Sequence, residues 1–245
     1  MSSLYSRIPG FIKGIWRGRK IESYISYSGD DTGILYEYAN VLSKLARNEG
    51  GETYSQYAQD WFIFNFIFHA KESGFFLDIG ANDPIRINNT LLFEKHGWNG
   101  FAFEPQKQLA EKWSERKADC INIALGDEEK KIYFREENEH ELSRVVKNKK
   151  EATTVVKQRR LKDVLDERQI RAIDFISIDV EGYEYYVLKG IDFSKVDVGV
   201  ILMEISDSEI SATRRTRSYL RENGFVMIAR LQIDDVWVNQ KFFKY

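Results

Sequence analysis

Phe-Phe-Leu-Asp-Ile-Gly-Ala-Asn-Asp-Pro, residues 75–84, joins an apolar segment to an acidic turn that contains a glycine. Aromatic and β-branched residues without polar alternation are typical of a strand that helices cover on both faces. Gly80 allows the chain to bend and a ligand to approach the backbone, whereas Pro84 cannot extend the hydrogen-bond ladder of a strand. An ordinary strand with a surface turn remains an alternative, but the stretch favours a central parallel strand that ends in a ligand loop.

A second apolar strand that ends in an acid follows at Gly100–Pro105, where Glu104 is the acid. It comes roughly 20 residues after the glycine turn, a separation that suits one helix and a neighbouring parallel strand, with the carboxylate placed to accept the hydroxyls of a ribose. The predicted helix is Ile87–His96, and Asn89 and Thr90 near its start either cap it or contact the ligand. The two strand ends together indicate a nucleoside ligand.

The glycine turn also indicates which nucleoside binds. A dinucleotide site needs three glycines so that a pyrophosphate can lie on a helix N-terminus, and here Gly80 is followed by Ala-Asn-Asp-Pro. A pyrophosphate would meet like charge at Asp78 and Asp83. S-adenosylmethionine has no phosphate and carries an ammonium group that either acid would attract. The residues therefore favour S-adenosylmethionine over a nicotinamide dinucleotide.

Composition sets wider limits. A chain of 245 residues is long enough for one large α/β domain. A hydrophobic fraction of 43% and a charged fraction of 30% are typical of a soluble globular protein. The net charge of -2 argues against a dedicated nucleic-acid binder. The single Cys120 permits no internal disulfide, which fits a reducing cytoplasm, and the sequence has no Cys/His cluster suited to zinc.

The first 50 residues differ from the rest and are predicted to form a basic N-terminal arm and a helix, Ile34–Arg47, before a catalytic domain at 51–245. Residues 1–20 combine five basic side chains with apolar ones and contain no acid. Such a segment suits peripheral contact with an anionic membrane surface, and a basic arm or a helix packed on its own domain suits it equally well. Its apolar run is too short for a spanning helix.

Three further segments complete the first half of the domain. Tyr54–Ala70 is predicted to be a buried helix, with Gln59 near its start as a candidate ligand contact. A strand is predicted at Asp119–Ala124. The segment Ala124-Leu125-Gly126-Asp127 at its end repeats the pattern of strand end, glycine and acid, which suits contact with the edge of an adenine ring. Arg135–Glu151, between β segments expected at Lys131–Phe134 and Thr153–Gln158, is a highly charged insertion for which a solvated loop and a substrate lid both remain open.

The second half contains two more apolar strands that end in acids. Asp174–Glu184 predicts a buried strand that ends at Asp179 and is followed by Glu181, and Val198–Glu204 predicts a neighbouring strand. Two final strands, Phe225–Ala229 and Asp234–Val238, form a hairpin. The alternation of strands and helices predicts an α/β, doubly wound, mostly parallel sheet with helices on both faces and an antiparallel terminal hairpin.

Several of these segments together resemble the FkbM-type S-adenosylmethionine-dependent methyltransferases. The similarity covers roughly residues 54–240, and each motif is unspecific when taken alone. The matching segments are Ser-Gln-Tyr-Ala-Gln-Asp (55–60), Phe-Leu-Asp-Ile-Gly-Ala-Asn-Asp (76–83), Asn-Thr (89–90), Gly-Trp-Asn-Gly (97–100), Phe-Glu-Pro (103–105), Ala-Leu-Gly-Asp (124–127), Ile-Asp-Phe-Ile-Ser-Ile-Asp-Val-Glu-Gly-Tyr-Glu (173–184) and Leu-Lys-Gly (188–190).

The resemblance implies a class I, Rossmann-like methyltransferase fold with a seven-stranded sheet whose last strand is antiparallel. It also implies O-methylation, commonly of sugars in polysaccharides, glycolipids or secondary metabolites. Pro84 stands where many relatives have glycine, which predicts a stiffer ligand loop. The residues expected to bind the cofactor are Gln59, Asp78, Gly80, Asn82, Asn89, Thr90, Glu104, Pro105, Ala124, Leu125, Asp127 and Asp179.

Methyl transfer to a hydroxyl needs either a base or a metal, because a free hydroxyl has a pKa of about 15. Asp179, Glu181 and Glu204 are the catalytic candidates, since they follow neighbouring strands at the edge of the sheet that also carries Asp78. They would either share a divalent cation such as Mg²⁺ through hard oxygen ligands or supply one general base. His96 and His140 are alternative bases, although His96 is better explained as a cation at a helix C-terminus.

The sequence therefore predicts a cytoplasmic S-adenosylmethionine-dependent O-methyltransferase that acts on a sugar or glycan acceptor. One alternative is a non-catalytic module that binds a nucleoside ligand without turnover. A nicotinamide-dependent oxidoreductase is disfavoured by the missing glycines. The oligomeric state does not follow from the sequence.

Overall fold

The structure, a computed structural model, describes residues 51–137, 143–205 and 210–242. Its helices are α1 (Gln59–Phe62), α2 (Leu91–Lys95), α3 (Lys107–Lys112), α4 (Leu161–Glu167), α5 (Glu184–Lys189) and α6 (Ile210–Glu222). Its strands are β1 (Phe75–Ile79), β2 (Asn99–Phe103), β3 (Asp119–Ile121), β4 (Ala124–Leu125), β5 (Lys130–Arg135), β6 (Arg144–Val146), β7 (Thr154–Arg159), β8 (Ala172–Ile178), β9 (Asp197–Glu204), β10 (Phe225–Leu231) and β11 (Asp234–Asn239). The predicted basic arm and the helix at Ile34–Arg47 lie outside the described residues.

A seven-stranded sheet forms the centre of the domain, with the strand order β10-β11-β9-β8-β1-β2-β3. β1 pairs in parallel with both β2 and β8, and β8 pairs in parallel with β9. β11 is antiparallel to both of its neighbours. The predicted doubly wound sheet with an antiparallel terminal hairpin is therefore confirmed, and β1 is an interior strand with a parallel neighbour on each side.

The register of this sheet brings the acidic strand ends to one edge. Ile79, the last residue of β1, lies opposite Phe103 on β2 and Ile178 on β8. The residues that follow these three positions are Gly80, Glu104 and Asp179. Because parallel strands all end at the same edge, the loops after β1, β2 and β8 share one crevice.

Two hydrophobic clusters bury the faces of the sheet. On β1, Phe76 belongs to one cluster and Leu77 and Ile79 to the other, as the alternation of side chains along a strand requires. The aromatic residues of 62–68 pack in the first cluster, and α4 and α5 pack in the second. Both faces are therefore covered, which explains the continuous apolar run that identified β1.

A second, four-stranded sheet with the order β4-β7-β5-β6 was not predicted as a sheet. The β segments expected at Lys131–Phe134 and Thr153–Gln158 are confirmed as β5 and β7. The prediction of one strand over Asp119–Ala124 is wrong, because β3 ends at Ile121 and the Ile123 amide turns back to donate to the Ile121 carbonyl at 2.8 Å. The chain then leaves the main sheet, and Ala124 pairs with Gln158 of β7. The charged insertion takes part in this sheet, since β6 pairs with β5.

Two helices are shorter than predicted. The helix expected at Ile87–His96 starts at Leu91, because Ile87 has a left-handed φ of 51° and the Asn88 side chain accepts the amide hydrogens of Thr90 and Leu91 at 2.9 Å. The helix expected at Tyr54–Ala70 spans only α1 and one π-helical turn at Ile63–Ile67. None of the described helices is long and apolar enough to cross a membrane.

Candidate active site

An open cleft of about 610 Å³ lies at the edge of the main sheet where β1, β2 and β8 end. This volume includes open solvent at the mouth of the cleft. The second sheet forms one wall. The lining residues are Ile79, Gly80, Asn82, Phe103, Glu104, Pro105, Gln106, Ile123, Ala124, Leu125, Phe134, Ser143, Val145, Asp179, Val180, Glu181 and Tyr183.

Glu104 is a buried carboxylate in the lining of this cleft. It accepts hydrogen bonds from the backbone amides of Asn82, at 2.9 Å, and Gln106, at 2.7 Å. Burial raises the pKa of Glu104 to about 7, and the two amides oppose that rise. Each carboxylate oxygen keeps a further lone pair, so Glu104 can still accept hydrogen bonds from a ligand.

Gly80 brings the loop after β1 against the loop after β8. Its φ is 76°, and a Cβ atom at this position would lie 1.7 Å from the carbonyl oxygen of Asp179. Only glycine fits this close approach of two backbones. Because Gly80 lines the cleft and has no side chain, a ligand can approach the backbone of the loop there.

Asp78, one residue before the end of β1, faces away from the cleft lining into a buried polar network. Its Oδ2 accepts hydrogen bonds from the Thr90 hydroxyl at 2.7 Å and the Asn88 amide at 3.1 Å. Burial raises the pKa of Asp78 to about 6, while Thr90 and the nearby Arg116 guanidinium oppose the rise. The carboxylate therefore joins β1 to the far end of the ligand loop.

Arg116 completes this network, and the sequence analysis missed it. Its buried guanidinium forms an ion pair with Glu94 at 2.9 Å and donates to the Pro84 carbonyl at 2.8 Å and to Asn88 Oδ1 at 3.1 Å. It also lies 4.6 Å from the centre of the Trp113 ring. In the sequence it belongs to a charged run typical of an exposed helix, so no local signal marks it as a buried residue that holds the ligand loop.

Asp179, Glu181 and Glu204 come together at the ends of β8 and β9. One carboxylate oxygen from each lies within 4.8 Å of the others. Asp179 and Glu181 line the cleft, whereas Glu204 lies behind them, outside the lining. The sequence prediction that these three acids share one edge of the sheet is therefore met by the geometry.

Burial and the neighbouring acids raise the pKa of Asp179 and of Glu181. Asp179 is exposed through the cleft, yet protein atoms surround it, and this loss of water is the first cause of a pKa well above the usual range; the Glu204 carboxylate is the second. Burial and the charge of Glu204 raise the pKa of Glu181 to about 7. A carboxylate with a pKa near neutrality can take a proton from a substrate and release it again.

Asp234, at the start of β11, is a fourth acid beside this group. It is buried, and burial together with the charge of Glu204 raises its pKa to about 7, although a hydrogen bond from Gln59 opposes the rise. Gln59 Nε2 donates to Asp234 at 2.6 Å. Gln59 therefore binds the acid cluster from α1 and does not line the cleft itself.

Comparison with known proteins identifies the family. The family model of the Methyltransferase FkbM domain matches residues 78–227, which is more than half of the chain. The chain belongs to this family. Its fold is the class I methyltransferase fold, and family membership implies S-adenosylmethionine as the methyl donor. No curated protein matches the sequence.

Solved structures with a similar fold are distant in sequence. The FkbM methyltransferase from Methylobacillus flagellatus KT is 14% identical, with a TM-score of 0.46 over 68% of this chain and 44% of that chain. Aeropyrum pernix fibrillarin, solved with natively bound S-adenosyl-L-methionine, is 11% identical, with a TM-score of 0.38 over 69% and 66%. A TehB-like S-adenosylmethionine-dependent methyltransferase from Corynebacterium glutamicum ATCC 13032 Kitasato is 11% identical, with a TM-score of 0.42 over 82% and 96%. This chain spans less than half the length of the Methylobacillus protein.

The predicted cofactor residues of the FkbM domain form two groups, those that line the cleft and those that do not. Those in the cleft lining are Gly80, Asn82, Glu104, Pro105, Ala124, Leu125 and Asp179. Those outside the lining are Gln59, Asp78, Asn89, Thr90 and Asp127. Their assignment as ligand contacts stays a prediction.

The residues outside the lining mostly have partners within the FkbM domain. Asn89 donates to the Ser177 hydroxyl at 3.1 Å and so connects the ligand loop to β8. Asp127 lies near enough to Tyr183 and Lys130 to influence their titration. His96 follows α2, with its ring 4.5 Å from that of Phe64. His140, the other alternative base, lies outside the described residues.

The charged insertion contributes to the site of the FkbM domain. Ser143 and Val145, at the start of β6, line the cleft together with Phe134 of β5. No local pattern in this region indicates such a role, because its apolar residues are few and its charges are mixed. The described part of the insertion is a wall of the cleft, and a movement that would make it a lid stays a prediction.

Proposed function

We propose that this FkbM domain transfers a methyl group from S-adenosylmethionine to a hydroxyl of a sugar in a glycan, a polysaccharide or a glycosylated metabolite. One observation carries the proposal: a single cleft joins a buried acceptor of ribose hydroxyls, Glu104, to a pair of acids, Asp179 and Glu181, at the end of a neighbouring strand. Sugar hydroxyls are the acceptors that the resemblance to the family implies.

The residues of the cleft fit this cofactor. Glu104 can accept both ribose hydroxyls, and Phe103, Ile123 and Leu125 offer an apolar surface to an adenine ring. The acids at the other end suit the positive charges of the amino acid part and disfavour a pyrophosphate. When bound, S-adenosylmethionine supplies an activated methyl group on a positively charged sulfur.

Glu181 is the general base in this proposal. It is half-buried, so it is accessible to an acceptor, and its pKa of about 7 suits proton transfer at neutral pH. As the acceptor oxygen bonds to the methyl carbon and the carbon–sulfur bond breaks, Glu181 takes the hydroxyl proton. Glu204 acts through its charge, because it raises the pKa of Glu181.

A divalent cation is the second candidate for activating the hydroxyl. Asp179, Glu181 and Glu204 offer hard oxygen atoms within 4.8 Å of one another, which is the ligand type that Mg²⁺ prefers. A bound cation would lower the pKa of Asp179 and Glu181 and remove the need for a protein base. The two candidates predict opposite responses to a chelator.

Methyl transfer to a panel of sugars tests the proposal. The purified protein is incubated with S-adenosylmethionine labelled in its methyl group and with neutral and acidic mono- and oligosaccharides, with added Mg²⁺ or with EDTA. We expect labelled sugar in the presence of EDTA if Glu181 is the base, and only with Mg²⁺ if a cation replaces it. Cofactor binding without transfer to any sugar would contradict the proposed acceptor and favour a non-catalytic nucleoside-binding module.

The location of the protein and its further partners are also proposals. We place the protein in the cytoplasm, because the single Cys120 permits no internal disulfide and so fits a reducing compartment. The net charge of -2 argues against a nucleic-acid partner. Residues 1–20 are proposed to contact an anionic membrane surface. Sedimentation of the full chain with anionic and with neutral vesicles tests this contact, and equal sedimentation with both would contradict it.

A further inference from the structure

Three tyrosines and one arginine form a continuous surface beside the cleft, which we name the tyrosine–arginine surface: Tyr183, Tyr185, Tyr186 and Arg215. Tyr183 lines the cleft, and its ring stacks on that of Tyr186 at 4.6 Å. The Arg215 guanidinium lies 3.9 Å from the centre of the Tyr185 ring and 5.7 Å from that of Tyr186. The surface therefore leads from the active site to a cation on α6.

The charge of Arg215 is available to a ligand. Arg215 is exposed and forms no ion pair with any of the residues that the structure describes. On a helix, the side chains one turn away are the nearest neighbours. Around Arg215 these are Ser211, Ala212, Ser218 and Tyr219, and none of them is acidic. The tyrosine rings fix the guanidinium without neutralising it.

The chemistry of this surface suits a charged sugar. The C–H bonds on one face of a sugar ring pack well on an aromatic ring, which provides contact area with few rotatable bonds. A guanidinium binds a carboxylate or a phosphate through two parallel hydrogen bonds. The tyrosines supply the aromatic surface for the sugar ring, and Arg215 supplies the guanidinium for the anionic group.

The charges around the surface determine how such a ligand would lie. Asp179 and Glu181 repel an anionic group from the end of the surface that borders the cleft. The ring distances place Arg215 within about 10 Å of Tyr183, on the far side of Tyr186 from the cleft lining. An anionic group held at Arg215 would leave the opposite side of the sugar facing Glu181.

We propose that the tyrosine–arginine surface binds the acceptor and selects a sugar that carries a carboxylate or phosphate group. This inference rests on the proposed function, because it names the acceptor of the same site. It assigns Arg215 as a specificity-determining residue that contacts the anionic group of the substrate. It also orients the acceptor, since only hydroxyls remote from the anion would reach Glu181.

Binding of matched sugars tests the inference. Methyl glucoside, methyl glucuronide and glucose 6-phosphate are titrated into the protein saturated with S-adenosylhomocysteine. We expect at least one of the two anionic sugars to bind about ten-fold more tightly than methyl glucoside, the effect of one ion pair worth roughly 1.4 kcal/mol. The two anionic probes distinguish a carboxylate from a phosphate. Equal binding of all three sugars, or binding of none at millimolar concentration, would overturn the inference.

A pair of adjacent arginines provides the control. Arg215→Gln should remove the preference for the anionic sugar and leave binding of the neutral sugar and of S-adenosylhomocysteine unchanged. Arg214→Gln changes the net charge equally at an exposed neighbouring position and should preserve the preference. An equal loss of the preference in both variants would mean that only the net charge of the protein matters, and it would refute the assignment. Failure of wild-type protein to bind S-adenosylhomocysteine would instead refute the proposed function.

Discussion

The acidic ends of β1 and β8 look alike in sequence but differ in their surroundings. Each is an apolar strand with an acid within one residue of its end and a turn containing glycine after it. At β1, Asp78 accepts two side-chain hydrogen bonds and lies near the Arg116 guanidinium. At β8, Asp179 faces Glu204, and further acids surround the pair. The first acid is held by donors, and the second is opposed by like charges.

This difference separates a supporting role from a chemical one. An acid whose oxygens are bound to donors fixes the loop that carries those donors. Acids crowded without a cation retain protons near neutrality and can exchange them with a substrate. The contrast predicts that substitutions near β1 act mainly on stability, whereas substitutions near β8 act mainly on the reaction.

Glu181→Gln should produce the largest effect, and it tests whether the acids near β8 take part in the reaction. Loss of a general base costs on the order of 10²–10⁴-fold in rate, so kcat for methyl transfer should fall by that factor. Binding of S-adenosylhomocysteine should not change. In the unsubstituted protein, kcat/KM should rise as pH passes through about 7, because the base must lose its proton.

Steady-state kinetics between pH 5.5 and pH 9, roughly one and a half to two units on either side of neutrality, would measure both effects. Glu129→Gln, an exchange at an exposed position on the turn before β5, is the matched control and should behave like wild type. An unchanged kcat in Glu181→Gln would remove Glu181 from the proposed role.

Arg116→Gln should produce the largest effect on the supporting side. Removing one partner of a buried ion pair costs roughly 3–5 kcal/mol, because the other charge stays buried. Glu94 would keep only the backbone amides of Ala118 and Lys117 as donors. Chemical denaturation measures the free energy of unfolding.

An exposed ion pair provides the control for Arg116. Arg171 pairs with Asp166 at 3.0 Å, with both side chains about half exposed, so Arg171→Gln should cost less than about 1 kcal/mol. Equal costs in the two variants would contradict the supporting role assigned to Arg116.

The raised pKa values of the buried acids predict how stability depends on pH. Burial holds the pKa of Glu104, Glu181 and Asp234 at about 7 and that of Asp78 at about 6, above the values of 3.8 to 4.5 expected in the unfolded chain. The folded state therefore binds more protons, so these groups favour folding at low pH and lose that contribution as pH rises to about 7. The melting temperature should be higher at pH 5 than at pH 8. A melting temperature that increases over this range would contradict these shifts.

Asp234→Asn should produce the smallest effect, and it tests whether like charge opposes the acids near the ends of β8 and β9. The substitution removes one charge beside Glu204 and keeps an oxygen that can accept the hydrogen bond from Gln59. At pH 8 we expect a gain in stability on the order of 1 kcal/mol, since a shift of one pKa unit is worth about 1.4 kcal/mol. Asp197→Asn, at the exposed opposite end of β9, should change stability little. Loss of stability in Asp234→Asn would show that Asp234 is not opposed by like charge.

The main sheet could be predicted because its signals are local. The uniform apolar character of β1 reflects burial on both faces, and the carboxyl ends of parallel strands meet at one edge whatever the loops do. Asp179, Glu181 and Glu204 could therefore be grouped from sequence, and the structure brings them within 4.8 Å.

Local patterns indicated β5 and β7 of the second sheet. The pairing of that sheet and the buried network depend on contacts between distant residues, so local patterns did not predict them. β4 has two residues and is defined by its pairing with β7, more than 30 residues later. Arg116 is buried because Glu94, Asn88 and the Pro84 carbonyl surround it in three dimensions. The same limit applies to Asp78, whose donors lie 10 and 12 residues further along the chain.

Titration calorimetry with S-adenosylhomocysteine tests most directly the claim that this FkbM domain binds its cofactor at the cleft. The account predicts micromolar binding, no comparable binding of NAD, and at least about ten-fold weaker binding for Glu104→Ala, since a hydrogen bond to a charged group is worth roughly 1.5 kcal/mol or more. Asp119→Ala, at the exposed start of β3, should bind like wild type. A preference for NAD, no binding of S-adenosylhomocysteine, or undiminished binding in Glu104→Ala would contradict the account.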